Sequence, residues 1–163
     1  ATLKAEYTRR LPDLRAWTVH VRQVQFVPKD KGNATKLAMQ TAAETLHARL
    51  VAGETPAEAT KKAAPSKAYD IRVSDLGWQT ETALGKSLFE AAKALETPGQ
   101  SSGPIHSEFG VHLLQAVHAP RRQAPTFEAY RGQLKVELLA NAQRDLKKRL
   151  DDEFPIKRLG EGQ

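Results

Sequence analysis

Five histidines and no cysteine bound the chemistry open to these 163 residues. Thiolate nucleophiles, thiolate metal sites and disulfides are excluded at once, and a cysteine-free chain suits an oxidising compartment. His112 stands within Val111-His112-Leu113-Leu114, among strand-forming apolar residues. An imidazole in that setting is either a hydrogen-bonded core group or an acid–base group held out of water. His106 and Glu108 lie nearby, but no His/Asp/Glu cluster shows metal-ligand spacing, so no metal is expected. No glycine-rich phosphate loop is present either, and no cofactor is expected. His20 and Gln23 share a β-branched segment three residues apart, which on an alternating strand puts them on opposite faces.

The elements that must position these groups can be read from periodicity and punctuation. Trp17 to Val27 is rich in β-branched and aromatic residues and predicts a first strand, closed by the loop Pro28-Lys29-Asp30-Lys31-Gly32-Asn33. A helix is expected from about Ala34 to Ala52, with Met39, Ala43, Leu46 and Leu50 on one face and Gly53 at its end. Thr55-Pro56-Ala57-Glu58 combines an N-cap hydroxyl, a first-turn proline and a glutamate that reaches back, which predicts a short helix to about Ala64. Tyr69 to Val73 has strand character, Ser87 to Leu95 helical character, and two late strands fall near Pro104–His106 and Val111–His118.

Flanking this β-α-α-β-α-β-β order are two amphipathic helices. Leu3, Tyr7, Leu11 and Leu14 mark the first, with Pro12 expected to break or kink it. After a spacer over 119–125, Thr126 caps a second helix whose stripe runs from Phe127 to Phe154, with Pro155 as its stop. The expected division is 1–16, 17–119 and 120–163. The net charge of +6 is concentrated on the flanks, which reads more simply as solvated helix faces than as a nucleic-acid surface. No run of apolar residues reaches membrane-spanning length, and Ala1-Thr2-Leu3-Lys4 lacks the apolar core of a signal peptide, as in a mature or trimmed form.

Three segments in order, Ser74-Asp75-Leu76-Gly77-Trp78, Leu88-Phe89-Glu90-Ala91-Ala92-Lys93-Ala94-Leu95 and Phe109-Gly110-Val111-His112, resemble the parvulin-type peptidyl-prolyl isomerases of bacterial envelope foldases and chaperones. The resemblance covers roughly residues 17–119. It implies an α+β domain with a small antiparallel or mixed four-stranded sheet, and an active site built as a shallow apolar cup over paired histidines on the first and last strands. His112 matches the last-strand histidine, and Gln23 is assigned to the first-strand position. Leu76, Leu84 and Leu88 match cup positions, with Ser107 and Phe109 near the rim, and Asp70 is the nearest candidate for the family's polar or thiol residue. Val73-Ser74 replaces a glycine pair, Leu88 a phenylalanine, and Lys93 an aromatic.

Prolyl isomerisation needs no nucleophile, because binding a twisted amide in a desolvated cup lowers a barrier of roughly 20 kcal/mol. Glutamine can donate and accept hydrogen bonds but cannot titrate, so the resemblance implies weak catalysis, or an inactive module that binds peptide through the same cup. The implied partners are unfolded, proline-containing polypeptides in a bacterial periplasm or envelope. A homodimer through the long C-terminal helix is a further expectation.

Overall fold

The computed structural model describes residues 2–154. They form two compact units: residues 16–123, and a helical unit of residues up to Arg15 with those from Ala124 onward. In the larger unit, strands β1 (Ala16–Pro28), β2 (Tyr69–Gln79), β3 (Ile105–Ser107) and β4 (Gly110–Gln123) make one antiparallel sheet in the order β2-β1-β4-β3. The helices of this unit are α2 (Asn33–Val51), α3 (Pro56–Lys61), α4 (Glu81–Leu84) and α5 (Lys86–Lys93). The architecture is α+β, with a parvulin-like order.

The two central strands bury side chains on both faces. Val24, Phe26, Val111 and Leu113 pack with Met39, Ala43, Leu46 and Leu50 of α2 and Ala59 of α3. On the other face Val19, Val21, Leu114 and Ala116 pack with Phe89 and Ala92 of α5 and with Leu95. Strand periodicity of two sorts the same two strands into both clusters.

Local signals set the helix ends. Thr55 and Glu58 form the reciprocal capping box, with the Thr55 amide donating to Glu58 at 2.9 Å and the Glu58 amide to the Thr55 hydroxyl at 3.3 Å. Gly53, at φ 98°, follows α2. The helix α3 stops at Lys61, short of the expected Ala64. An additional short helix, α4, absent from the expected order, is capped by the Thr80 hydroxyl.

The last strand also runs further than the expected spacer. Ala16, Trp17 and Thr18 pair with Gln123, Arg122 and Arg121, so the stretch through Pro120 belongs to the sheet. Proline is accommodated because the register shifts between Thr18 and His20, where one residue of β1 faces two of β4.

In the helical unit, α1 (Leu3–Leu14) passes through Pro12 without ending, since the proline lies only two residues from the helix end. It packs on α6 (Phe127–Glu153), with the Tyr7 ring edge-on to Phe127 at 5.5 Å, the Tyr7 hydroxyl donating to the Pro125 carbonyl at 2.7 Å, and Arg10 bridging to Glu137 at 2.8 Å. Tyr130 and Leu134 are buried, whereas Leu139, Leu146, Leu150 and Phe154 face solvent. Pro155, the expected stop, lies outside the described residues. Among the described residues no helix is long and apolar enough to cross a membrane.

Two outcomes follow from this packing. Gly110 sits at φ 128°, and a Cβ there would lie 1.9 Å from the Phe26 carbonyl oxygen, so Gly110→Ala is expected to destabilise the domain by about 3 kcal/mol in denaturant titrations. Glu6 accepts hydrogen bonds from Arg9 and Arg10, which hold its carboxyl down to about 2 from an ordinary 4.5. A depressed carboxylate contributes stability above its unfolded pKa and loses it as pH falls through the folded one. The carboxyl chemical shift of Glu6 should therefore titrate near 2, with amide protection in α1 declining between 4.5 and 2; a midpoint at the ordinary value would contradict the pairing.

Candidate active site

Residue pairing between β1 and β4 decides which side chains meet at His112. Its cross-strand neighbour is Gln25, while Gln23 stands opposite Leu114, one pleat further along. The structure therefore does not bring Gln23 beside His112, as the sequence assignment required, and Gln25 takes that place. Spacing alone does not distinguish the two, because Gln23 and Gln25 share a strand face and only strand register separates them.

His112 is buried and forms the floor of a cavity of about 390 Å³, with Leu84, Leu88, Ile105 and Phe109 among the wall residues. Its Nε2 lies 2.6 Å from the Ser107 hydroxyl, while its Nδ1 is buried without a partner. Burial holds the imidazole below its usual pKa, since the charged form would be desolvated. Imidazolium would also need a hydrogen-bond acceptor at both ring nitrogens, and Nδ1 has none. A buried ring nitrogen without a partner is best tolerated as a bare lone pair, which leaves the proton on Nε2, donating to Ser107. His112 is thus a neutral, oriented donor.

The rim is the two-residue turn Glu108-Phe109 joining β3 to β4, with Ser107 and Gly110 paired across it. The Phe109 amide donates to the Ser107 hydroxyl at 3.1 Å and the Gln25 side-chain amide donates to the Phe109 carbonyl at 3.4 Å. Ser107, His112 and Gln25 accordingly hold the turn from its inner side, and the Phe109 ring remains exposed. The tight approach of Gly110 to Phe26 fixes where the turn begins.

The remaining sequence candidates divide. Leu84, Leu88, Ser107 and Phe109 line the cavity with His112. Leu76 packs against the apolar cluster of Val19, Val21 and Phe89 and supports the cup without lining it. Asp70 is exposed, paired with Val27 on β1 and bonded to Lys29 at 2.9 Å, and it does not line the cup. His20 lies on the opposite sheet face from Gln23. Register shifts do surround His20, but the additional residues belong to β2 and β4, so the alternation of β1 itself is undisturbed.

A larger cavity of about 530 Å³ lies behind the same turn, lined by Pro28, Lys31, Lys36 and Met39. It shares His106, Ser107 and Glu108 with the cup but lacks the buried imidazole and the leucine walls. Among the described residues no group of three His, Asp or Glu side chains could hold a metal ion. The chemistry available is therefore apolar burial of a ring beside a few fixed hydrogen-bonding groups.

Comparison with known proteins bears on this geometry. Residues 24–118 match the rotamase family described as the PPIC-type PPIase domain. Chaperone SurA of Pseudomonas fluorescens is 31% identical over 130 residues, covering 78% of this chain and 29% of the relative. Chaperone SurA of Pseudomonas aeruginosa is 29% identical over 128 residues, with the same coverage of 78% and 29%. The chain thus spans less than a third of the curated relatives it matches. Among solved structures, PrsA from Bacillus subtilis is similar with a TM-score of 0.40 and 15% identity, over 98% of this chain and 56% of that one. With the family match over residues 24–118 taking in the histidine-floored cup and more than half of the chain, the chain belongs to the PPIC-type peptidyl-prolyl isomerase family.

Proposed function

We propose that the domain binds Xaa-Pro segments of unfolded polypeptides in the cup and catalyses their cis–trans isomerisation weakly, as part of a foldase or chaperone of the bacterial envelope. The observation that carries this reading is the buried His112, bonded to Ser107, in the cavity lined by Leu84, Leu88 and Phe109, with Gln25 rather than a second imidazole beside it. The apolar walls desolvate the proline ring, and the neutral donor and hydroxyl meet an amide whose oxygen and nitrogen lose conjugation as it twists. Gln25 hydrogen-bonds the turn instead of the ring nitrogen of His112, so the imidazole lacks the partner that a titratable neighbour would supply. The same feature favours a second reading, a module that binds peptide through the cup without turning it over.

Kinship with proteins named as chaperones supports a client surface beyond the cup. We assign the solvent-facing Leu139, Leu146, Leu150 and Phe154 of α6 to unfolded client, with a second copy of the chain as the competing occupant. Envelope location rests on the same kinship and suits the cysteine-free sequence.

In a protease-free isomerisation assay on Xaa-Pro peptides, Gln25→His is expected to raise the rate by roughly tenfold, equivalent to about 1.4 kcal/mol of added stabilisation of the twisted amide. Gln23→His, opposite Leu114, should leave it unchanged. An increase at residue 23 and none at 25 would overturn the site as drawn. Separately, Leu84→Asp should weaken binding of a proline-containing peptide by about 1–2 kcal/mol through lost apolar burial, with the amide spectrum of the sheet preserved. Peptide-induced shifts confined to α1 and α6 would instead remove the cup from substrate binding.

A further inference from the structure

The sheet face that carries Val24 and Phe26 is covered by α2 and α3 over only part of its width. Beyond Val24 the same face presents Arg22 and His20 from β1, Asp75 and Trp78 from β2, and His118 and Arg121 from β4. These side chains form one connected group. His20 Nε2 lies 2.7 Å from Asp75, and Arg22 approaches the same carboxylate at 3.8 Å. The His20 ring lies 5.5 Å from Trp78 and 5.1 Å from His118; Trp78 and His118 stack at 5.6 Å with planes 8° apart, and the Arg121 guanidinium sits 3.8 Å from the indole centroid.

Charge is unbalanced across the group. The group holds two guanidiniums, Arg22 beside Asp75 and Arg121 over Trp78, against one carboxylate, which is already engaged by the Gly77 amide at 2.9 Å as well as by His20. Arg22 is half exposed at its weak contact with Asp75, and Arg121 is exposed. Beside the group lies a cavity of about 390 Å³, lined by Arg22 of β1, Val73 and Asp75 of β2, and Thr55 and Pro56 at the start of α3. The concavity therefore begins at an aliphatic pocket and ends on a cation-bearing aromatic platform. It also runs along β2, an edge strand of the sheet, whose outer side pairs with no other strand among the described residues.

We propose that this face is a second binding surface, separate from the cup, for an extended acidic polypeptide segment. Carboxylates of the segment meet Arg22 and Arg121, an aromatic or aliphatic side chain packs on Trp78 and in the Pro56–Val73 hollow, and the backbone aligns with the β2 edge. A strand edge offers amide and carbonyl groups in register with another polypeptide, which distinguishes a peptide from a polyanion of another kind. The surface and the cup lie on opposite faces of one four-stranded sheet, so a client can engage both without competition.

The test uses the full chain and three probes of equal length: a peptide alternating glutamate with valine and tyrosine, its glutamine counterpart, and a single-stranded oligonucleotide. Binding is read from the indole NMR resonance of Trp78 and from titration calorimetry. The glutamate peptide is expected to shift the Trp78 resonance and to bind at least tenfold more tightly than the glutamine peptide. Arg22→Gln combined with Arg121→Gln should remove that preference, while Leu84→Asp should leave it intact. Equal binding of both peptides, binding of the oligonucleotide alone, or a glutamate preference that survives the double substitution would each overturn the proposal. Because the peptide comparison is made on the unaltered chain, the outcome does not depend on the variants folding.

Discussion

Antiparallel pairing of β1 with β4 is the constraint from which the arrangement of this domain follows. Both strands are buried on both faces, so neither can slip by one residue without exchanging its two sets of side chains between two different cores. That rigidity fixes Gln25 opposite His112 and Leu114 opposite Gln23. It also forces the irregularities of the sheet outward, into β2 and the far end of β4, where an additional residue can be absorbed without disturbing the alternation of β1.

A cup built on such a pair acquires its electrostatic character from burial rather than from charge. The Glu108 carboxylate of the lining stands exposed at the rim, while His112 bonds the Ser107 hydroxyl, and the sequence candidate Asp70 is spent on Lys29. The imidazole stays neutral because one nitrogen has a hydroxyl and the other has nothing. A site of this kind suits a substrate that carries no net charge at the reacting bond and needs only to exchange water for an apolar wall during rotation.

How far the sequence revealed this arrangement depended on the range of the interaction. Thr55-Pro56-Ala57-Glu58, the Met39 to Leu50 stripe and Gly53 are local devices, each complete within a few residues, and their helices begin where expected, although α3 ends early. The cup residues Leu84, Leu88, Ser107, Phe109 and His112 became visible through motif order, and the structure brings them to one cavity. Strand register is a long-range quantity set by pairing across about ninety residues, so Gln23 and Gln25, on one face of one strand, could not be told apart from the sequence alone. The expected spacer over 119–125 differs for a related reason: a register shift at residues 119–120 lets β4 continue through Pro120.

The turn that carries Phe109 has its amide tied to Ser107 and its carbonyl tied to Gln25. Those bonds settle the entropy of the mouth when the chain folds, so an arriving peptide need not order the rim residue as it binds. They also make the floor and the mouth a single mechanical part: a change at Gln25 alters the shape presented to an approaching ligand as well as the surroundings of His112. Under the proposed function, capture and turnover are therefore coupled at that position, whereas the leucine walls can vary independently of it.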